Sequence, residues 1–82
     1  MMDPKADERQ VTAKRIKYHR EQAGLTQKQL AGDAQGAHIT QSRVSEWESG
    51  KLGISAVNLA ILATALGKPS WLFHVPLEEE GK

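Results

Sequence analysis

The most distinctive side chains of this chain lie in one short polar run, QSRVSEWES at residues 41–49. Its glutamine, serine and arginine side chains offer hydrogen-bond donors and acceptors of the kind that match the edges of DNA bases. If the run is a helix, Val44, Trp47 and Glu48 fall on one side, and a small polar face lies opposite. Such a face lets a helix approach another surface closely, but ordinary solvated helices show it too. This feature alone is compatible with a helix that reads DNA bases and with an ordinary solvated helix, and it favours the solvated helix.

The residue types used for catalysis and metal binding are absent or scattered. There is no cysteine, which excludes disulfides, thiolate metal sites and cysteine nucleophiles. The three histidines, His19, His38 and His74, are far apart, and no two of them form a ligand pair at helical spacing. No nucleophile has a neighbouring base, and no glycine-rich loop follows a strand. The sequence therefore predicts a protein that is not an enzyme and that uses no metal or cofactor.

The charges of the chain are unevenly distributed, although the net charge is only +1. Residues 12–51 carry seven Lys or Arg side chains against four Asp or Glu side chains, and the segment on either side is mildly acidic. A basic region is expected of a nucleic-acid-binding protein, but so small an excess is weak support by itself. No apolar run approaches the ~20 residues that cross a membrane, and the charged start lacks a signal-peptide core. We therefore expect a cytoplasmic protein.

Helix signals recur along the whole chain, and no run of alternating β-branched residues is present. Polar residues stand where N-caps are expected, two of them followed by Gln three residues on, as in a capping box. Glycines follow the helical stretches and favour helix ends. The expected caps are Asp7, Thr26, Thr40 and Ser55. The expected helices are 8–23, a second one from Thr26 to Gly36, 41–49 and 56–66, with a short turn from Pro69 that carries Trp71, Leu72 and Phe73.

Three linked segments resemble the phage-repressor and Cro type of helix-turn-helix domain, the xenobiotic-response-element (XRE) family. They are RIKYHREQAGLTQKQLA, ITQSRVSEWESGK and ISAVNLAILATALG, in order within residues 15–67. The resemblance implies an all-α fold, a compact five-helix bundle of the lambda-repressor-like type. The helix at 27–35 would lie across the DNA backbone, and the helix at 41–49 would enter the major groove. The expected divisions are an N-terminal arm at 1–10, the DNA-binding domain at 11–74 and a flexible acidic tail at 75–82.

The resemblance also implies roles for individual residues. Arg20 and Glu48 match a pair that forms a buried salt bridge between the first and third helices. Gln27 and Lys51 match positions that contact phosphate. The expected base-reading residues are Gln41, Ser42, Arg43, Ser45 and Glu46. The expected phosphate contacts are Gln27, Lys28, Ser49 and Lys51.

The chain departs from the family pattern at three places. Thirteen positions separate Ala31 from Val44 where the family usually has ten, so three extra residues lengthen either the second helix or the turn after it. His19 stands where the family usually has Leu, and we expect it to be partly buried beside a polar neighbour. The outer face of the fourth helix carries Val57 and Ile61, with Thr64, where charged residues are common.

These features predict a sequence-specific DNA-binding transcriptional regulator, a repressor or controller, that binds a palindromic operator as a homodimer. The apolar outer face of the fourth helix, together with the short turn that follows it, predicts a dimer interface built from Val57, Ile61 and Trp71. The expected partners are the major groove of double-stranded DNA and a second copy of the chain, with no membrane and no small-molecule ligand. Such a protein would be associated with the nucleoid. The alternative is an antitoxin or adaptor whose main partner is another protein.

Overall fold

The structure is a computed structural model that describes residues 4–34 and 39–77. Every regular element in these residues is helical, which confirms the expected all-α helix-turn-helix fold. The four α-helices are α1 (Pro4–Gln22), α2 (Gln27–Ala34), α3 (Gln41–Ser49) and α4 (Ala56–Ala65), and a 3-10 turn spans Ser70–His74. None of these helices is both long and apolar enough to cross a membrane.

Side-chain caps begin three of the helices at the expected residues. Before α2, the Gln29 N–H donates to the Thr26 hydroxyl at 3.1 Å, and the Thr26 N–H donates to the Gln29 side-chain oxygen at 2.8 Å. This is the reciprocal capping box expected from the sequence. The hydroxyls of Thr40 and Ser55 each accept a backbone N–H three residues on, at 3.2 Å. The predicted starts of α2, α3 and α4 are confirmed.

The first helix begins earlier than expected. It starts at Pro4, so it includes most of the segment predicted as an N-terminal arm. The capping box predicted at Asp7 is wrong, because Asp7 already lies inside the helix. A proline is favoured at the first helical position, where the missing N–H would have had no helical partner. That preference outweighs the local capping signal three residues later.

Gly50 ends α3 and lets it pack closely against α1. Its φ of 76° is left-handed, which a residue with a Cβ rarely adopts. A Cβ at this position would also lie only 2.8 Å from the side-chain Cδ of Gln10 on α1. Gly24 and Gly67 follow α1 and α4 with similar positive φ values. The predicted helix end at Gly36 lies outside the described residues.

All elements contribute side chains to one apolar core. Val44 and Trp47 point inward from α3, and Phe73 of the 3-10 turn is fully buried. Leu72 is half-buried beside this core, whereas Trp71 is 65% exposed. The other large members of the core are Ile16, Leu30, Ile39, Leu59 and Leu62.

Arg15 on α1 is fully buried, which the sequence did not predict. Its guanidinium donates hydrogen bonds to the backbone carbonyls of Val75 and Pro76. Its Nη1 also lies 3.4 Å from Nε2 of His19. His19 is itself buried and meets the Phe73 ring edge-on, with 5.2 Å between ring centres. Arg15 therefore holds the segment after the 3-10 turn, at the start of the region predicted as a flexible tail; residues 78–82 of that tail lie outside the described residues.

Candidate nucleic-acid interface

Helix α3 presents a continuous polar face to solvent. Val44 and Trp47 are only 0% and 3% exposed, so they fix which side of the short helix turns inward. Burying these two apolar side chains contributes roughly 1.5–3 kcal/mol each and holds the helix in this orientation. The residues left on the outside are Gln41, Ser42, Arg43 and Ser45, all exposed, and Glu46, which is half-buried. All five are the residues predicted to read bases.

A bidentate ion pair between Arg20 and Glu48 connects α1 to α3. Nε of Arg20 donates to Oε2 of Glu48 at 2.6 Å, and Nη2 donates to Oε1 at 3.0 Å. Nη1 of Arg20 donates to the carbonyl oxygen of Leu25 at 2.7 Å. The two side chains are 12% and 4% exposed. Bidentate geometry of this kind fixes orientation as well as distance, so Glu48 ties the end of α3 to the end of α1.

The hydrogen bond to Glu48 raises the pKa of Arg20 above its ordinary value, although burial opposes the shift. A raised pKa in the folded state means that the ionisation of Arg20 favours folding at every pH below the ordinary arginine value. That contribution is lost only as the pH rises into the strongly alkaline range. Arg20 therefore stays positively charged throughout the neutral pH range.

Gln27 joins the same cluster from the first turn of α2. Its Nε2 donates to Oε1 of Glu48 at 3.2 Å. An amide nitrogen carries two N–H donors, so one holds the side chain against Glu48 and the second can reach another acceptor. Gln27 lies in the first turn of α2, and the N-terminus of a helix favours an anion, so the prediction that this second donor contacts a phosphate is compatible with the geometry. Glu48 thus connects three helices and orients a residue predicted to contact phosphate.

The C-terminal end of α3 is shaped by Ser49. Its hydroxyl donates to the carbonyl oxygen of Glu46 at 3.0 Å and accepts the backbone N–H of Lys51 at 3.3 Å. These bonds hold the turn that carries Lys51, whose side chain is exposed, as is that of Lys28 on α2. Phosphate contacts by these residues remain predictions, and the internal bonds of Ser49 give its hydroxyl a structural role as well.

The connection between α2 and α3 contains the extra residues noted in the sequence. α2 is described to Ala34 and α3 begins at Gln41. Residues 35–38 lie outside the described residues, so the predicted choice between a longer helix and a longer turn stays a prediction. The end of the connection is well anchored, because Ile39 is buried and Thr40 caps α3.

The residues predicted to form a dimer interface differ in exposure. Val57 is 71% and Trp71 is 65% exposed, whereas Ile61 is half-buried and packs partly against the core. Among the described residues, Tyr18 is the other exposed large apolar side chain, at 40%. It lies on α1.

Arg15 belongs to the basic region at residues 12–51, but its burial removes it from the exposed positive charges of that region. Helical spacing could have indicated that Arg15 is buried, since it lies on the same face of α1 as the buried residues Thr12, Ile16 and His19. Among the described residues, no group of three or more His, Asp or Glu side chains is placed to hold a metal ion.

Comparison with known proteins agrees with this geometry. A helix-turn-helix family model, HTH_3, matches residues 16–72. A crystal structure of the hypothetical transcription factor NHTF from Neisseria is similar, with a TM-score of 0.82 and 25% sequence identity over 98% of this chain and 88% of that chain. No curated protein matches the sequence. These similarities point to a regulator rather than an enzyme, and the chain belongs to the XRE-type helix-turn-helix family of DNA-binding transcriptional regulators.

Proposed function

We propose that this protein is a repressor or controller that binds a palindromic operator as a homodimer, with α3 of each copy in the major groove. The observation that carries the proposal is the exposed polar face of α3, held in place by the Arg20–Glu48–Gln27 cluster. A helix that enters a groove needs such a rigid support, because base edges are read at hydrogen-bond distances. The proposed base-reading residues are Gln41, Ser42, Arg43, Ser45 and Glu46.

The individual side chains suit different partners on DNA. Gln41 can pair with adenine, and Arg43 can pair with guanine. Glu46 can accept a hydrogen bond from a cytosine amino group, which gives a carboxylate a use close to phosphates. The proposed phosphate contacts are Gln27, Lys28, Ser49 and Lys51. The experiment that tests the function is selection of bound sequences from random duplex DNA, and we expect a palindrome whose half-sites are about one helical turn apart.

Binding to DNA should weaken steeply as salt is added. Lys28, Arg43 and Lys51 are all exposed, so a dimer brings six positive charges to the DNA, four from lysines on phosphates and two from Arg43 in the groove. We therefore expect a plot of log K against log salt concentration with a slope of about −5. Lys68→Ala, which removes an exposed positive charge beyond α4, is the matched control and should leave the slope unchanged. A flat salt response would contradict DNA binding.

Replacing Gln41 should weaken binding to the selected operator much more than binding to random DNA. We expect Gln41→Ala to lose roughly 1–3 kcal/mol on the operator, because a bidentate contact with one base is removed. Gln22→Ala removes the same side chain from the exposed end of α1 and should change neither affinity. Equal losses on both DNAs would show that Gln41 contacts phosphate and reads no base.

A second candidate function is an antitoxin or adaptor whose main partner is another protein. The exposure of Val57 and Trp71 favours it, since large apolar side chains on a surface often mark a protein interface. This function requires a tight complex with a different protein. A specific operator with a steep salt dependence, together with self-association, would favour the regulator instead.

A further inference from the structure

A groove of about 400 Å³ opens on the surface between α2 and α4. One wall is the end of α2 and the other is the C-terminal half of α4. Most of its lining side chains are small or apolar; the lining residues are Asp33, Ala34, Ala60, Ile61, Thr64 and Ala65.

Val57 protrudes from α4 next to this groove. It lies in the first turn of the helix and is 71% exposed. Ile61 and Ala65 follow at steps of four residues, so the three share one ridge of the helix. Ala60 and Thr64 form the neighbouring ridge, and small side chains there leave a depression of the kind that receives one side chain of a facing helix. The same helix thus carries a protruding side chain at its start and a depression in its second half.

We propose that the occupant of this groove is the α4 helix of a second copy, packed antiparallel, with Val57 of each copy inserted into the groove of the other. A two-fold axis exchanges the two copies, so every contact must occur twice. In an antiparallel pair, the start of one helix meets the second half of its mate, which brings each Val57 to a groove. A parallel pair would place Val57 against Val57 and leave both grooves empty.

The charges around the groove favour a copy of the same chain. No charged residue occurs from 56 to 67, so two α4 helices meet without like-charge repulsion. Asp33 is exposed on the α2 wall of the groove. Inserting Val57 brings the N-terminus of the second α4 helix to this wall, and a carboxylate near a helix N-terminus is stabilising. The inference rests on the proposed homodimer and specifies how its two copies pair.

Cysteine cross-linking tests the pairing directly, because the natural chain contains no cysteine. In the Val57→Cys, Thr64→Cys double variant, we expect oxidation to give a covalent dimer that reducing agent dissolves. The two cysteines of one chain are seven residues apart, about 10 Å along the helix, which is too far for a disulfide within the chain. Each single variant is the matched control and should remain a monomer on a non-reducing gel.

Two results would overturn the antiparallel pairing. One is efficient cross-linking of Val57→Cys alone, which would place the two Val57 residues together. The other is no cross-linking of the double variant while the reduced protein still sediments as a dimer and binds its operator. The second result rejects this pairing and leaves the proposed function intact. Absence of operator binding by the natural protein would instead reject the proposed function.

A change at Asp33 provides a second readout that requires no cysteine. We expect Asp33→Lys to weaken self-association several-fold, because it places a positive charge near the N-terminus of the second α4 helix. Glu21→Lys makes the same change on the exposed part of α1 and should leave self-association unchanged. An unchanged dissociation constant for Asp33→Lys would contradict the proposed position of the second helix.

Discussion

Glu48→Ala is expected to lower the free energy of unfolding by about 3 kcal/mol. Removing one member of a largely buried ion pair leaves the other charge without its partner, and costs of this order follow. Arg20 is 12% exposed on its side chain, so water reaches part of it and the loss belongs at the lower end of the known range. A loss of this size lowers the melting temperature of so small a domain by roughly 10 °C or more. Thermal unfolding followed by circular dichroism measures it.

Glu46→Ala is the matched control for this prediction. It removes the same carboxylate from the same helix, two residues earlier, where no ion pair is formed among the described residues. We expect its melting temperature to stay within a few degrees of the natural protein, because a half-buried carboxylate that forms no ion pair contributes little, about 0.5 kcal/mol. If Glu48→Ala has the same melting temperature as Glu46→Ala, the ion pair contributes nothing to the stability of the fold. In that case the support of α3 must come from apolar packing alone.

The second large effect is expected from negative charge on the outer face of α4. The Val57→Glu, Ala60→Glu double variant should remain folded, because both side chains are exposed in the single chain. It should sediment as a monomer, since in the antiparallel pair the carboxylate at position 57 would lie beside Asp33 of the second copy, and the two carboxylates at position 60 would meet near the two-fold axis. Affinity for the full operator should fall roughly 100- to 10,000-fold, because the two half-sites are no longer bound by one linked unit. Affinity for an isolated half-site should change little.

Tyr18→Glu is the control for this variant, because it places the same charge on another exposed apolar residue. Tyr18 lies on α1 and is 40% exposed. We expect this control to remain a dimer and to bind the full operator normally. The opposite pattern, a dimeric double variant and a monomeric Tyr18→Glu, would move the interface to α1. Trp71→Ser tests the third predicted interface residue by itself. We expect it to reduce operator affinity less than the double variant does.

The starts of three helices could be predicted from the sequence because each depends on nearby residues. Thr26, Thr40 and Ser55 each accept a backbone N–H only three residues on. Such a bond requires no knowledge of the tertiary structure. The exposed face of α3 could be predicted for a similar reason, since two apolar side chains at helical spacing determine which side turns inward.

Contacts between distant segments left no comparable local signal. Glu48 lies 28 residues from Arg20, and only the resemblance to a family implied that the two would meet. The burial of Arg15 depends on carbonyls about 60 residues away, so periodicity alone could not separate it from an exposed basic residue. The groove beside α4 is also a tertiary feature, because its second wall comes from α2.

The hydrogen bonds of Arg15 limit how the protein can be shortened or fused. A chain cut after His74 would lose the carbonyls of Val75 and Pro76, and a fully buried guanidinium would need replacement acceptors inside the core. A fluorescent protein or affinity tag joined after Lys82 leaves these two carbonyls, and every residue after them, in place. The smallest version of this domain that keeps its stability therefore extends at least to Pro76, and a buried cation in the first helix determines that limit.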